Sequence, residues 1–520
     1  MSLTPAEGKT RPNENGFAVS PVLSVNSGDQ TDQTESFPSV TRTSLTNLLG
    51  GLTSQTVRLL VVIFVARRFA TADFGAFSFA WAVNAFMYVA SHFGLPTYGT
   101  RQVAVQGTVT YRFLRNIGLS RVGLALAAMV ATLVVLYAIP QINRQDLYLV
   151  SLFGLSNVIQ AGFVDWVFQG LGRLDVSAIL NCIFQIVWLG LVVVSVHRGA
   201  GILAVGVTLC ISALLTQVLG VLWLTNRIQF DGSSRAPVSA VLHDCCGLLK
   251  SGAALGFGTV LVTVLVWSDA IIVRLLRGDT TVGIYAAAER PALALGLLLN
   301  FYLQGAFPTL SHARKQGIAL FQKSFQRLYN NVALIFLPGC IWSAFYAREI
   351  LQLLFGGPQY LQGAMVFRIF QLLMPLIVFT YVFGNCVLLP FHRDREYQRT
   401  FLIVGVLFVP LCVALTMKWD ITGAAATSVV CYLIASAMFH IVSRELITAD
   451  HVQALLLPCL AGITVGLLGR WLHISLIPAF MFLLLANAGL LVKGHASELH
   501  GKMVALSILP ESVVMKRGGK

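Results

Sequence analysis

Charge is scarce in this chain. Only 11% of its 520 residues are Asp, Glu, Lys or Arg, while 56% are hydrophobic and the mean hydropathy is +0.76. Soluble domains carry about a quarter charged residues, so an aqueous globular fold is excluded and an integral membrane protein is expected. Ordered cysteine spacing is also missing. The nine cysteines lie mostly singly in apolar runs, with no Cys-x-x-Cys pair and no His/Cys spacing suited to zinc, and they read as small packing residues. The adjacent Cys245 and Cys246 do not alter this, because neighbouring side chains diverge and no second cluster supports them. There is no P-loop and no metal motif, so neither a metal nor a cofactor is expected. The net charge of +14 comes without a basic patch: the 36 Lys and Arg are spread between apolar segments, and nucleic acid is not an expected partner. Residues 1–43 lack any apolar core, so they are neither signal peptide nor span and read as a disordered cytoplasmic tail.

What the chain has in abundance is long apolar runs. A membrane helix needs about 20 mostly apolar residues. Fourteen runs qualify, near 48–66, 75–97, 117–139, 147–169, 176–196, 201–224, 251–273, 282–306, 328–346, 364–390, 400–417, 421–442, 452–469 and 474–492. The ten-residue alternation of a β-barrel is missing. The expected fold class is therefore all-α integral membrane, with about 14 transmembrane helices. With the N-terminus in the cytoplasm, fifteen Lys and Arg fall in inside loops and nine in outside loops, which favours both termini in the cytoplasm. Arg58, Arg121, Arg290 and Arg368 sit within apolar runs instead.

The chain also repeats itself weakly. VARRFATADFGAFSFA at 65–80 matches VRLLRGDTTVGIYAAA at 273–288, with Gly75 and Gly283 each followed two places on by an aromatic, Phe77 and Tyr285. LPT at 95–97 answers FPT at 307–309. The repeat pairs helices 1–2 with helices 7–8 and predicts two six-helix lobes plus two C-terminal helices. The expected organisation is an N-terminal lobe over 44–224, a cytoplasmic linker over 225–250, a C-terminal lobe over 251–446, two extra helices over 447–495 and a cytoplasmic tail over 496–520.

Arg58 stands out in LTSQTVRLLVVIFVARR. It lies about ten residues, hence roughly 15 Å, from the start of helix 1 and near the bilayer midplane. A charge there costs about 2.5–3.5 kcal/mol on insertion scales, so it marks a functional position. Asn47, Gly51, Ser54 or Gln55, and Arg58 recur at helical spacing and define one polar face, expected to line a wet interior.

Three stretches carry a family resemblance. DFGAFSFAWAV at 73–83, VDWVFQGLGRLDVSAIL at 164–180 and ILQLLFGGPQYLQGAMVFRIFQLLMPL at 350–376 resemble the Wzx-type polysaccharide transporters, oligosaccharide flippases of the MOP superfamily. The second holds a WxFQGxxR pattern (Trp166, Phe168, Gln169, Gly170, Arg173). The third holds LFGxxY (Leu354, Phe355, Gly356, Tyr360) with one extra residue before the Tyr. The resemblance covers roughly 44–450. It implies movement of a polyprenyl-pyrophosphate-linked oligosaccharide from the cytoplasmic to the periplasmic leaflet by alternating access, and a bacterial inner-membrane location. Membrane lipids and polysaccharide polymerase machinery are the implied partners. Many relatives have twelve helices; fourteen matches the related lipid II flippases, whose last two helices suggest a groove for the lipid tail.

On that reading the cavity residues are Arg58, Gln55, Asn84, Tyr88, Glu289 and Arg290. Arginine suits pyrophosphate because it stays charged and offers planar, paired hydrogen bonds. Trp81, Tyr88, Tyr285 and Tyr302 are candidate walls for the sugars. Asn84, Tyr88 and Asn300 are equally readable as helix-to-helix glue, and His92 and Gln304 are read as glue. Asp269 and Glu289 are candidates for ion coupling, because a carboxylate competing with phosphate for an arginine is a route to proton coupling. Arg121 and Asp165 are expected to form a structural ion pair, and Arg368 to reach for the outer interface. Two rivals remain open: a drug or cation antiporter of the same superfamily, which should carry an acid in helix 1, and a membrane polysaccharide polymerase or ligase, which should carry a large outer loop.

Overall fold

The computed structural model describes residues 37–472 apart from 163, 225–227, 230–237, 392 and 448–450, together with a few residues between 474 and 483. The chain divides into two units, Met1–Thr41 and Arg42–Lys520; the described part of the first is the opening of one helix, and the second holds the helical bundle. In lipid every backbone N–H and C=O must be satisfied within the segment, and the apolar runs accordingly fold as helices. The first half contains α1 (Phe37–Arg68), α2 (Thr71–His92), α3 (Leu95–Gln106), α4 (Tyr111–Tyr137), α5 (Arg144–Ala161), α6 (Asp165–Gly170), α7 (Leu174–His197) and α8 (Leu203–Leu224). The second contains α9 (Val238–Arg277), α10 (Asp279–Gln316), α11 (Ile318–Phe345), α12 (Ala347–Phe355), α13 (Ala364–Phe383), α14 (Asp394–Ser443) and α15 (His451–Trp471). A two-residue parallel pairing joins Val109–Thr110 to Ile228–Gln229. Among the described residues, 10 helical segments are long and apolar enough to cross a membrane. The protein is an all-α, multi-pass membrane protein.

Every expected run from 48–66 to 452–469 falls on helix, and 474–492 lies mostly outside the described residues. Hydropathy misses the breaks and the ends. The run 147–169 is two helices, because α5 stops at Ala161 and α6 starts at Asp165. The run 75–97 turns at Phe93 (φ 32) and Gly94 (φ 75). In α14, Trp419 and Asp420 leave the helical region, and a Cβ on Gly423 would stand 2.0 Å from the Leu415 carbonyl oxygen, so 400–417 and 421–442 pack against each other around a tight turn. Helix also extends beyond the apolar stretches: α1 starts at Phe37 inside the expected tail, and α9 starts at Val238 inside the expected linker. Apolarity marks the part of a helix that lipid covers, whereas hydrogen bonding sets its length.

Two long helices from opposite halves, α2 and α10, pack together, and α2 also packs on α5 and α9. The two glycines matched in the repeat meet there. A Cβ on Gly75 would stand 1.8 Å from the Asp279 carbonyl oxygen, and one on Gly283 would stand 2.3 Å from the Thr71 carbonyl oxygen. Small residues let membrane helices approach backbone to backbone, and here each repeat uses its glycine to admit the other. Phe74, Phe77, Phe153, Phe355 and Tyr360 fill the core behind this contact.

Candidate functional site

Arg58 lies in the middle of the apolar segment Leu49–Arg68, is partly exposed, and has no hydrogen-bond or ion-pair partner among the described residues. Its guanidinium carbon stands 6.0 Å from the ring centre of Trp81 on α2. Arg290 on α10 approaches the same indole at 5.7 Å and covers Trp267 of α9 at 4.5 Å. Its Nη2 is buried without a partner. Two guanidiniums, one from each half of the chain, thus share one tryptophan. Aromatic faces attract such cations by about 0.5–2 kcal/mol each, which holds two like charges near one another without neutralising either. The open hydrogen-bonding edges of both arginines suit an anion with several oxygens.

Behind Arg290 lies a buried acidic pair. Asp269 accepts hydrogen bonds from the Tyr285 hydroxyl at 2.6 Å and the Ala270 N–H at 2.8 Å. Its carboxyl is within hydrogen-bonding reach of Glu289, whose Oε2 is buried with no partner. Both acids act on Arg290 through space, yet neither forms an ion pair with it. Tyr285 is fully buried, so it supports Asp269 and walls no cavity. Gln55 is partly buried one turn before Arg58, and Asn84 is partly buried with a partnerless Oδ1. The side chains of Asn300, Tyr302 and Gln304 lie outside the described residues.

Tyr88 and His92 continue the polar stripe of α2, stacked at 3.7 Å. The His92 Nε2 is 3.0 Å from Arg121 Nη2, which also points at the Gln160 carbonyl oxygen at 3.5 Å. The expected Arg121–Asp165 ion pair is not a direct contact. Asp165 opens α6 and accepts instead from Ser177 and, at 2.8 Å, from Gln169, so the break between α5 and α6 turns its carboxylate toward α7. Arg121 and Asp165 both line a cavity of about 180 Å³, with Tyr88, His92 and Trp166. His92 therefore borders a cavity as well as bridging helices. Arg368 is exposed and donates from Nε to the Ala344 carbonyl oxygen at 3.2 Å.

The sequence motifs serve contacts between elements. Trp166 packs on Gly99, where a Cβ would stand 2.6 Å from its ring, and its carbonyl accepts from Thr100 at 3.0 Å. Arg173 pairs with Asp175 at 3.0 Å, and that hydrogen bond holds its guanidinium above the ordinary value. The Tyr360 hydroxyl donates to the Ala66 carbonyl oxygen at 2.9 Å, so the tyrosine of LFGxxY closes the end of α1.

Sequence reading missed the residues that join the halves. Arg274, counted as a loop cation, is buried and bonds Asp146 of α5 at 2.5 Å, Asp279, and the Gln141 carbonyl oxygen at 3.3 Å. Conversely, Arg67 of α1 donates to the Leu354 carbonyl oxygen at 2.7 Å and to that of Leu353 in α12. Each half reaches into the other at the α1–α2 end of the bundle. Two arginines soon after apolar runs were the visible signal; their partners, more than a hundred residues away, were not. Trp267 was missed because an aromatic within a run signals only packing.

The fold is similar to those of solved membrane transporters. A lipid II flippase, MurJ, in its inward closed conformation superposes with a TM-score of 0.70 at 11% identity, covering 86% of this chain and 99% of that one. An inward-facing MATE-family multidrug resistance transporter gives 0.60 at 10% identity, covering 77% and 97%. Residues 40–314, more than half of the chain, match the polysaccharide biosynthesis protein family, and the chain belongs to that family. A protein of Escherichia coli (strain K12) named as an O-antigen transporter is 24% identical over 382 residues, 71% of this chain and 88% of its own length.

Proposed function

We propose that this protein is a flippase that moves a polyprenyl-pyrophosphate-linked oligosaccharide from the cytoplasmic to the periplasmic leaflet of the bacterial inner membrane, for surface polysaccharide assembly. The observation that carries this reading is the Arg58–Trp81–Arg290 cluster. Among the described residues, no carboxylate is bound to these two buried or half-buried guanidiniums, and a pyrophosphate supplies the missing charge. The arginines come from the two six-helix lobes, 44–224 and 251–446, so rocking of one lobe against the other carries a headgroup held between them from one side to the other. Both termini lie in the cytoplasm on this reading, and the product passes to polysaccharide polymerase machinery. Family membership and a relative named for O-antigen transport support a glycan cargo; the fold of a lipid flippase supports a lipid one.

Asp269 and Glu289 supply the coupling. Two carboxyls in hydrogen-bond reach share a proton readily; once it leaves, both negative charges face Arg290 and compete with the cargo phosphate. The antiporter alternative calls for an acid on the first helix, and α1 has none. The polymerase alternative calls for free catalytic side chains in an outer loop. There Glu349 is already held by Arg470 at 2.6 Å.

The test is delivery of lipid-linked oligosaccharide to the outer leaflet by Arg58→Ala and Arg58→Lys proteins. Loss in the Ala variant, with partial function in the Lys variant, is expected, because lysine keeps the charge and loses the planar fork. Normal delivery by a well-expressed Arg58→Ala protein removes the residue from the mechanism.

A further inference from the structure

The cavity beside Tyr88 lies wholly within the first half of the chain, framed by α2 to α8. It is separate from the arginine cluster but adjoins it. Along α2, Trp81, Tyr88 and His92 occur in order, with Tyr88 about 10 Å and His92 about 16 Å beyond Trp81 at 1.5 Å per residue. Tyr88 lies in the electrostatic field of both Arg58 and Arg121. The cavity therefore begins where the anion site ends.

Its chemistry differs from that of the anion site. The lining carries one cation, Arg121, whose Nη2 meets His92, and one anion, Asp165, which accepts from Ser177 and Gln169. The two formal charges cancel, and a lining without net charge favours a ligand without net charge. The remaining polar edges are amides, an imidazole and the hydroxyls of Tyr88 and Thr216, all able to donate and accept. Asn181 is fixed by donating to the Ser177 carbonyl oxygen at 3.1 Å. Flat apolar surface comes from Trp166 and from the Tyr88–His92 stack. Fixed donors and acceptors beside aromatic faces suit a neutral ring that carries hydroxyls on its edge and C–H groups on its face. The cavity volume is about 180 Å³, which has room for one ring.

We infer that this cavity is a glycan subsite that takes one neutral pyranose ring of the cargo while Arg58 and Arg290 hold its pyrophosphate. This rests on the flippase reading and adds to it a selectivity filter. The subsite belongs to one half alone, so it moves as a rigid body with that half.

Two measurements on full-length protein in nanodiscs separate the subsite from the flippase reading. In the first, free methyl glycosides of a hexose, an N-acetylhexosamine and a deoxyhexose are titrated against tryptophan fluorescence. At least one is expected to quench saturably, with the signal lost in Trp166→Phe and the affinity lost in a Gln169→Leu/Asn181→Leu double variant. Absence of quenching by all three, or unchanged quenching in the double variant, overturns the subsite. In the second, binding of polyprenyl pyrophosphate is compared with and without one sugar of the quenching type. The sugar is expected to tighten binding about tenfold in the native protein and not in the double variant, whereas Arg58→Ala weakens both ligands alike. Equal binding of the two lipids by native protein overturns the subsite. Failure of both lipids to bind while a glycoside still quenches overturns the flippase reading alone.

Discussion

At the scale of single residues, the site depends on how a charge is kept in an apolar bundle. A buried arginine with a bound carboxylate is a strut. One resting on an aromatic face retains its charge and its free N–H groups. Arg58 and Arg290 are of the second kind, and Trp81 is the residue they share. Replacing Trp81 with Leu removes both cation–π contacts while leaving an apolar side chain. Loss of two interactions of about 0.5–2 kcal/mol each predicts that binding of polyprenyl pyrophosphate weakens about tenfold or more with the fold retained, as read by titration alongside a melting curve. Arg58 was legible from the sequence because an arginine amid apolar residues is conspicuous. That Arg290 would meet it at the same indole was not, because the two are 232 positions apart.

At the scale of elements, the halves are tied by a reciprocal clasp at the α1–α2 end. Arg274 crosses from α9 to α5, Arg67 crosses from α1 to α12, and the Gly75–Gly283 contact brings α2 and α10 together between them. Removing one partner of a buried ion pair strands the other and costs about 3–5 kcal/mol, so Arg274→Ala is expected to lower the melting temperature clearly, with Asp146→Asn restoring part of the loss in the double variant. Asp279 behaves differently. Burial, helped by the neighbouring Asp146 carboxylate, raises it above the ordinary carboxylate value against the pull of Arg274. A carboxyl raised on folding favours the folded state while protonated, so its contribution falls as pH climbs from the unfolded value of about 3.9 through the higher folded one. Asp279→Asn fixes the neutral form and is expected to flatten the change in melting temperature as the pH rises from about 4. A variant as pH-sensitive as the native protein would show that Asp279 does not titrate in that window.

At the scale of the whole molecule, the alternating access proposed above requires the clasp to open as a unit. Spin labels at Arg144 on α5 and Arg348 on α12, both exposed and on opposite halves, should report one short separation in the native protein. A second, longer separation is expected to appear with Arg274→Ala and to grow when polyprenyl pyrophosphate is added. A single unchanged distance under both conditions would mean that the halves do not part at this end.

The sequence by itself determined the membrane class, the positions of the apolar runs, the family and the most exceptional charge, because hydropathy, composition and motif spacing are local properties. It also placed the two glycines whose contact joins α2 to α10. Only the tertiary structure decided the pairings: Arg58 with Arg290 through Trp81, Arg274 with Asp146, and Asp165 with Ser177 in place of Arg121. The physical reason lies in distance and geometry. Electrostatic and aromatic contacts act over a few ångströms in space, and a chain of long helices brings together residues that its order keeps hundreds of positions apart.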